Sequence, residues 1–111
     1  LAEMPVTGAE FLRITGAHRH ATPERLVRYL GQRLDRLSGG QYQLLNVWAC
    51  LGSGAELVVL DEPTNNMDPK AVLDLADLLL ASRESGRAVL VVSHEHDLLE
   101  KVCTRLVEVR P

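Results

Sequence analysis

The run Leu57-Val58-Val59-Leu60, closed by Asp61-Glu62-Pro63, constrains the fold more than any other part of the chain. It is too short for an ordinary helix and apolar at consecutive positions, the pattern of a strand buried on both faces. A second run of the same kind, Ala88 to Val92, closes on Ser93-His94. Between the two, Asp68-Pro69 offers an N-cap and a first-turn proline, and Val72, Leu73, Ala76, Leu79 and Leu80 mark one apolar helical face. After the Gly86 break and the second run, Asp97 to Cys103 reads as a short helix and Leu106-Val107-Glu108-Val109 as a last strand. Strand, helix, strand, helix, strand predicts right-handed crossovers and a parallel sheet.

The preceding half has a different period. Thr7-Gly8-Ala9-Glu10 has capping-box spacing ahead of Phe11, Leu12 and Ile14, which predicts a short helix ending before Gly16, with loop from Ala17 to Ala21. Thr22-Pro23-Glu24 predicts an N-cap, a first-turn proline and an acid near the positive helix end, followed by Leu26, Val27 and Leu30. Ser38-Gly39-Gly40-Gln41 repeats the capping-box spacing, and Leu44, Leu45, Val47, Trp48 and Leu51 continue a third helix over roughly 40–51. The expected fold class is α/β, with a small helical part over residues 1–54 and half of an α/β sheet over 55–111. A chain of 111 residues supports one core rather than two.

Composition narrows the partners. A formal net charge of −3 provides no basic footprint, so direct nucleic-acid binding is not expected. The longest apolar runs, 57–60 and 88–92, fall far short of the roughly 20 residues that span a bilayer, so no transmembrane segment is expected. Leu1 to Pro5 has neither a basic stretch nor an apolar one of the secretory kind, and a cytosolic location is expected. Cys50 and Cys103 lack metal-type spacing and read as reduced, partly buried thiols. His18 and His20 flank Arg19 in a polar stretch without other nearby ligands, and read as a solvated loop. Trp48 and Tyr42 read as packing residues. Arg25, Arg28, Arg33 and Arg36 read as a solvated helix face or a contact surface for a membrane partner.

Three elements carry chemistry. Asp61 and Glu62 follow a buried strand at the carboxyl end, where open α/β sheets bind ligands. Alternating side chains there can give Asp61 to a Mg²⁺ shell while Glu62 faces a water to be activated; an acidic pair also ends strands in ordinary solvated turns. Ser38-Gly39-Gly40-Gln41 leaves backbone N–H groups at a helix start, a geometry that binds phosphate and that also serves as a plain cap. Ser93-His94 ends the second strand at the same sheet edge, where an imidazole can donate to a phosphate oxygen or serve structure alone.

The order and spacing of these elements resemble the ATP-binding-cassette (ABC) ATPase family. Leu37 to Gln41 is similar to its signature motif, Leu57 to Pro63 to its Walker B strand, Asn66-Met67-Asp68 to its D-loop, and Ser93-His94 to its switch-histidine loop. Pro5 to Arg13 is weakly similar to the start of the helical subdomain in metal-ion importers of the family. The resemblance implies the carboxy-terminal part of a P-loop NTPase (RecA-like) domain, with ATP and Mg²⁺ as ligands. It implies Asp61 at the metal, Glu62 polarising the attacking water and His94 sensing the γ-phosphate. Ser38, Gly39, Gly40 and Gln41 would touch the γ-phosphate bound by a second ABC ATPase domain, with Asp68 at the dimer seam. A membrane permease is the implied partner and the inner membrane face the implied location.

Two features depart from the family. No Gly-rich loop ending in Lys-Ser or Lys-Thr occurs in these residues, so negligible ATPase activity is expected of this chain by itself. Leu44 and Ala49 stand where the family usually carries arginines. Three functions follow as expectations: part of a transporter motor, part of a soluble ABC ATPase acting on ribosomes or DNA, or a non-catalytic fragment that lends its signature helix to a partner.

Overall fold

The structure, a computed structural model, describes residues 5–109, the side chain of Glu84 excepted. Helix α1 spans Gly8–Thr15, and its capping box forms as the spacing predicts. Glu10 Oε1 accepts the Thr7 N–H at 2.9 Å and Thr7 Oγ1 accepts the Glu10 N–H at 3.2 Å. That backbone bond from Thr7 holds the exposed Glu10 carboxyl below its ordinary range. The second helix differs from expectation. Only Glu24–Val27 (α2) is helical, and Pro23 itself, with φ −55° and ψ 140°, is the N-cap, so Thr22 stands one residue too early to cap it. Helix α3 spans Gly39–Leu51 behind the Ser38–Gln41 capping box. Strand β1 is Leu57–Asp61, helix α4 Pro69–Ser82, strand β2 Ala88–Val92 and helix α5 His96–Val102.

The two strands are parallel, in the register Leu57 to Ala88 through Asp61 to Val92. Backbone bonds from the Ala88 N–H to the Glu56 carbonyl and from the Glu62 N–H to the Val92 carbonyl extend the ladder at each end. Leu106 to Val109 forms no strand and lies exposed, with Val107 at 72% and Val109 at 89%. The two-stranded sheet does not include it, and a short run outside a ladder has nothing to hold it as a strand.

Helix α3 is buried on several sides because it belongs to two clusters. Leu44, Val47 and Leu51 pack with Leu26, Leu75, Leu78, Leu98 and Val102, while Leu45 and Ala49 pack with Leu12, Ala17 and Leu34. Trp48 touches both clusters and Tyr42 the second, as packing residues should. The departures Leu44 and Ala49, each 2% exposed, are therefore core residues. Cys50 and Cys103 are free and half-buried, and burial pushes the Cys50 thiol above its ordinary range. Helix α4 buries Leu75, Ala76, Leu78 and Leu79 and exposes Leu73, a rotation of the stripe read from sequence. Gly8 admits the close approach of α1 to the turn after α2, since a Cβ there would lie 2.4 Å from the Tyr29 carbonyl oxygen.

Neither strand is buried on two faces: β1 is buried on one, and β2 is only half-buried on one, at Val89 and Val91. Val58 and Leu60 face the helices, whereas Leu57, Val59, Leu90 and Val92 are each about half exposed. β2 also has a free edge among the described residues, with no charge or proline between 88 and 92 to guard it. Such an edge beside a bare apolar face favours association. Light scattering of the isolated chain is expected to show a mass that rises with concentration, and Leu90→Lys with Val92→Lys is expected to suppress the rise. A parent chain that stays monomeric at every concentration would sink this expectation.

Candidate functional site

The sheet edge carries the first part of the site. Asp61 is the last residue of β1, exposed, and its carboxylate has no hydrogen-bond partner among the described residues. Glu62 follows with φ at 48°, a conformation that costs a non-glycine residue on the order of 1–3 kcal/mol. Two contacts hold it there. Its N–H donates to the Val92 carbonyl at 2.7 Å, and the fully buried Pro63 anchors the next residue. The turn directs the Glu62 side chain toward β2, where Oε1 lies 3.3 Å from Nε2 of the exposed His94. The contact becomes an ion pair when the imidazole is protonated. Strand register brings these residues together, since Asp61 is level with Val92, one residue before Ser93-His94.

The second part lies at the start of α3. Ser38 Oγ accepts the Gln41 N–H at 3.1 Å and Gln41 Oε1 accepts the Ser38 N–H at 3.0 Å. The box therefore satisfies two N–H groups internally, leaving those of Gly39 and Gly40 without partners among the described residues. Gly40 is buried against the Asn66–Met67 backbone, where a Cβ would sit 3.2 Å from the Asn66 carbonyl oxygen. Its second role, unseen in the sequence, is this close approach of helix and loop. Asn66 meets it with φ at 66°, a left-handed conformation that asparagine tolerates better than most residues. Asp68 caps α4, accepting the Ala71 N–H at 2.8 Å.

Ser38, Gly39, Gly40, Gln41 and Asp68 thus line one cleft of about 270 Å³, which Arg28, Asn66 and Lys70 also border. Asp61, Glu62 and His94 do not line it. The eight sequence-predicted residues fall into two groups, one at the sheet edge and one at the α3 cleft. Sequence reasoning did not place Arg28 or Lys70 at this cleft, and it reached Asn66 only through the D-loop resemblance. The four arginines are all exposed, as expected, and three of them also make side-chain contacts. Arg25 pairs with Asp77 at 2.6 Å and Asp74 at 3.3 Å, and the Asp77 bond raises its pKa above the ordinary arginine value. Arg28 bonds the Tyr29 hydroxyl at 2.8 Å, and Arg33 pairs with Asp35 at 2.6 Å.

Comparison with protein-family models finds no match. The chain is 31% identical over 102 residues to the macrolide export ATP-binding/permease protein MacB of Bradyrhizobium diazoefficiens, covering 86% of this chain and 16% of that protein. It is 39% identical over 85 residues to the lipoprotein-releasing system ATP-binding protein LolD 1 of Rhodopseudomonas palustris, covering 76% and 37%. It is 30% identical over 105 residues to the general L-amino acid transport ATP-binding protein AapP of Rhizobium johnstonii, covering 95% and 39%. The chain thus spans well under half the length of these curated relatives. Among solved structures, the RNase-L inhibitor superposes with a TM-score of 0.79 at 22% identity, over 91% of this chain and 22% of that one. The dimeric structure of a bacterial ABC transporter cassette superposes with a TM-score of 0.67 at 21% identity, over 91% and 51%. Identities at that level carry the fold, and the sequence relatives carry the family. Export, lipoprotein release and amino-acid transport occur in their names, so they do not single out the metal-ion importers. Sequence and fold agree that the chain belongs to the ABC ATPase family, as a carboxy-terminal part of its P-loop nucleotide-binding domain.

Proposed function

We propose that this chain is part of the ATP-hydrolysing subunit of an ABC transporter, and that it supplies the acidic strand end, the histidine loop and the signature helix to a head-to-tail dimer. The observation that carries the reading is the meeting of Glu62 and His94 at 3.3 Å across the carboxyl end of a parallel sheet. There Glu62 polarises the attacking water and His94 donates to the γ-phosphate. Asp61 fits a Mg²⁺ ligand: its carboxylate is exposed, and Mg²⁺ takes one or two carboxylates with substrate phosphates rather than a protein cage. The ion would supply charge neutralisation at the phosphate oxygens.

Ser38, Gly39, Gly40 and Gln41, with Asp68 beside them, serve the nucleotide of the second ABC ATPase domain, so ATP closes the dimer and hydrolysis opens it. The free Gly39 and Gly40 N–H groups at the positive end of α3 support this role. Residues 1–54 act as the helical subdomain and 55–111 as half of the ATPase core. The relatives at 30–39% identity are transporter proteins, which favours a membrane permease as partner, at the inner membrane face, over ribosomes or DNA. No helix among the described residues is long and apolar enough to cross a membrane.

The test joins this chain to a phosphate-loop half of the domain. The joined protein is expected to bind ATP and to dimerise with it by light scattering, while the chain alone neither binds nor turns over nucleotide. Ser38→Arg, which fills the cleft, is expected to keep ATP binding and abolish ATP-dependent dimerisation. Dimerisation that survives this substitution removes the cleft from the seam.

A further inference from the structure

At the opposite end of α3 from Ser38 lies a second cleft, of about 370 Å³, between the approach to α2, the carboxyl ends of α3 and α4, and the start of β2. Among the described residues, two buried side-chain donors have no hydrogen-bond partner, the indole Nε1 of Trp48 and the Nε of Arg87. Both residues line this cleft. Neither group can accept a hydrogen bond, so each needs an oxygen or nitrogen acceptor. A buried donor left unpaired is costly, and an acceptor in the cleft that either side chain turned to meet would remove that cost. Arg87 also borders the neighbouring cleft beside β2 and α5.

Charge and shape define that acceptor. Arg25 and Asp77 also line the cleft and pair with one another at 2.6 Å. Arg87 brings a positive charge to the cleft in addition to that pair, which favours a ligand with one negative charge. Apart from His20, Ser82 and Ser85 the remaining wall is apolar, with Pro23, Leu51, Leu78 and Ala81, a surface that suits an uncharged body better than a polyanion. We infer that this cleft binds an organic monocarboxylate, its oxygens taken by the Trp48 and Arg87 donors and its small apolar body by the aliphatic wall. The site stands apart from the Asp61, Glu62 and His94 edge and does not depend on ATP chemistry.

Trp48 is the single tryptophan, so its indole N–H provides one resonance in a ¹⁵N-labelled chain. Titration with benzoate is expected to move that resonance downfield and to saturate. Benzamide, which lacks the charge, and acetate, which lacks the apolar body, are expected to bind at least ~10-fold more weakly. Arg87→Gln is expected to weaken benzoate by a similar factor, and Ala81→Phe, which fills the cleft from the exposed side of α4, to abolish the shift. No saturable shift, equal affinity for benzoate and benzamide, or a folded variant of either kind that binds benzoate as the parent does would each overturn the inference. The Ala81 variant leaves both donors in place and keeps the test open if the Arg87 variant fails to fold.

Discussion

In a domain completed by a phosphate-loop half, Glu62→Gln is expected to lower ATP turnover by about 10²- to 10⁴-fold while nucleotide stays bound. Glutamine matches the shape of glutamate, so the strained turn at φ 48° and the Val92 bond to the residue 62 N–H persist. What disappears is the negative acceptor for a proton of the attacking water. His94→Ala, at the other side of the same contact, is expected to slow hydrolysis without the same tight retention of ATP, because it removes a donor rather than the acceptor. Single-turnover hydrolysis and nucleotide retention on a filter, measured on the three proteins in parallel, separate the two effects. Equal hydrolysis by all three would take both residues out of the reaction. Loss of ATP binding in Glu62→Gln would instead make the carboxylate a structural brace of the turn.

Leu75→Ala is expected to destabilise the chain by about 2–5 kcal/mol, and Leu73→Ala, two residues away on the same helix, by less than about 0.5 kcal/mol. Leu75 is 0% exposed in the cluster that joins α4 to α3, α5 and the sheet, so its removal leaves a cavity. Leu73 is 57% exposed and leaves none. Periodicity alone places Leu73 on the buried face, which makes the pair a direct test of the helix's rotation about its axis. Urea midpoints at one protein concentration, low enough to suppress association, measure both values. A larger loss at Leu73 would mean that α4 presents the face read from the sequence pattern.

The features legible in the sequence are those closed within a few residues. The capping boxes Thr7–Glu10 and Ser38–Gln41 and the Asp68-Pro69 helix start satisfy orphan N–H groups with side chains three positions away, so spacing suffices to find them. β1 and β2 are legible for a similar reason, as short branched runs ending on chemistry-bearing residues. The order of these elements also carried the family. Tertiary structure alone decided what depends on residues far apart in the chain. It brought Glu62 to His94 through strand register, gave Gly40 its contact with the Asn66 backbone, and tied Arg25 to Asp74 and Asp77. It chose which face of α4 is buried, because apolar residues lie on more than one side and the positions of α3 and α5 select among them. It also left the sheet largely bare on one face and Leu106 to Val109 outside it, since a strand is made by the ladder it joins and not by its own composition.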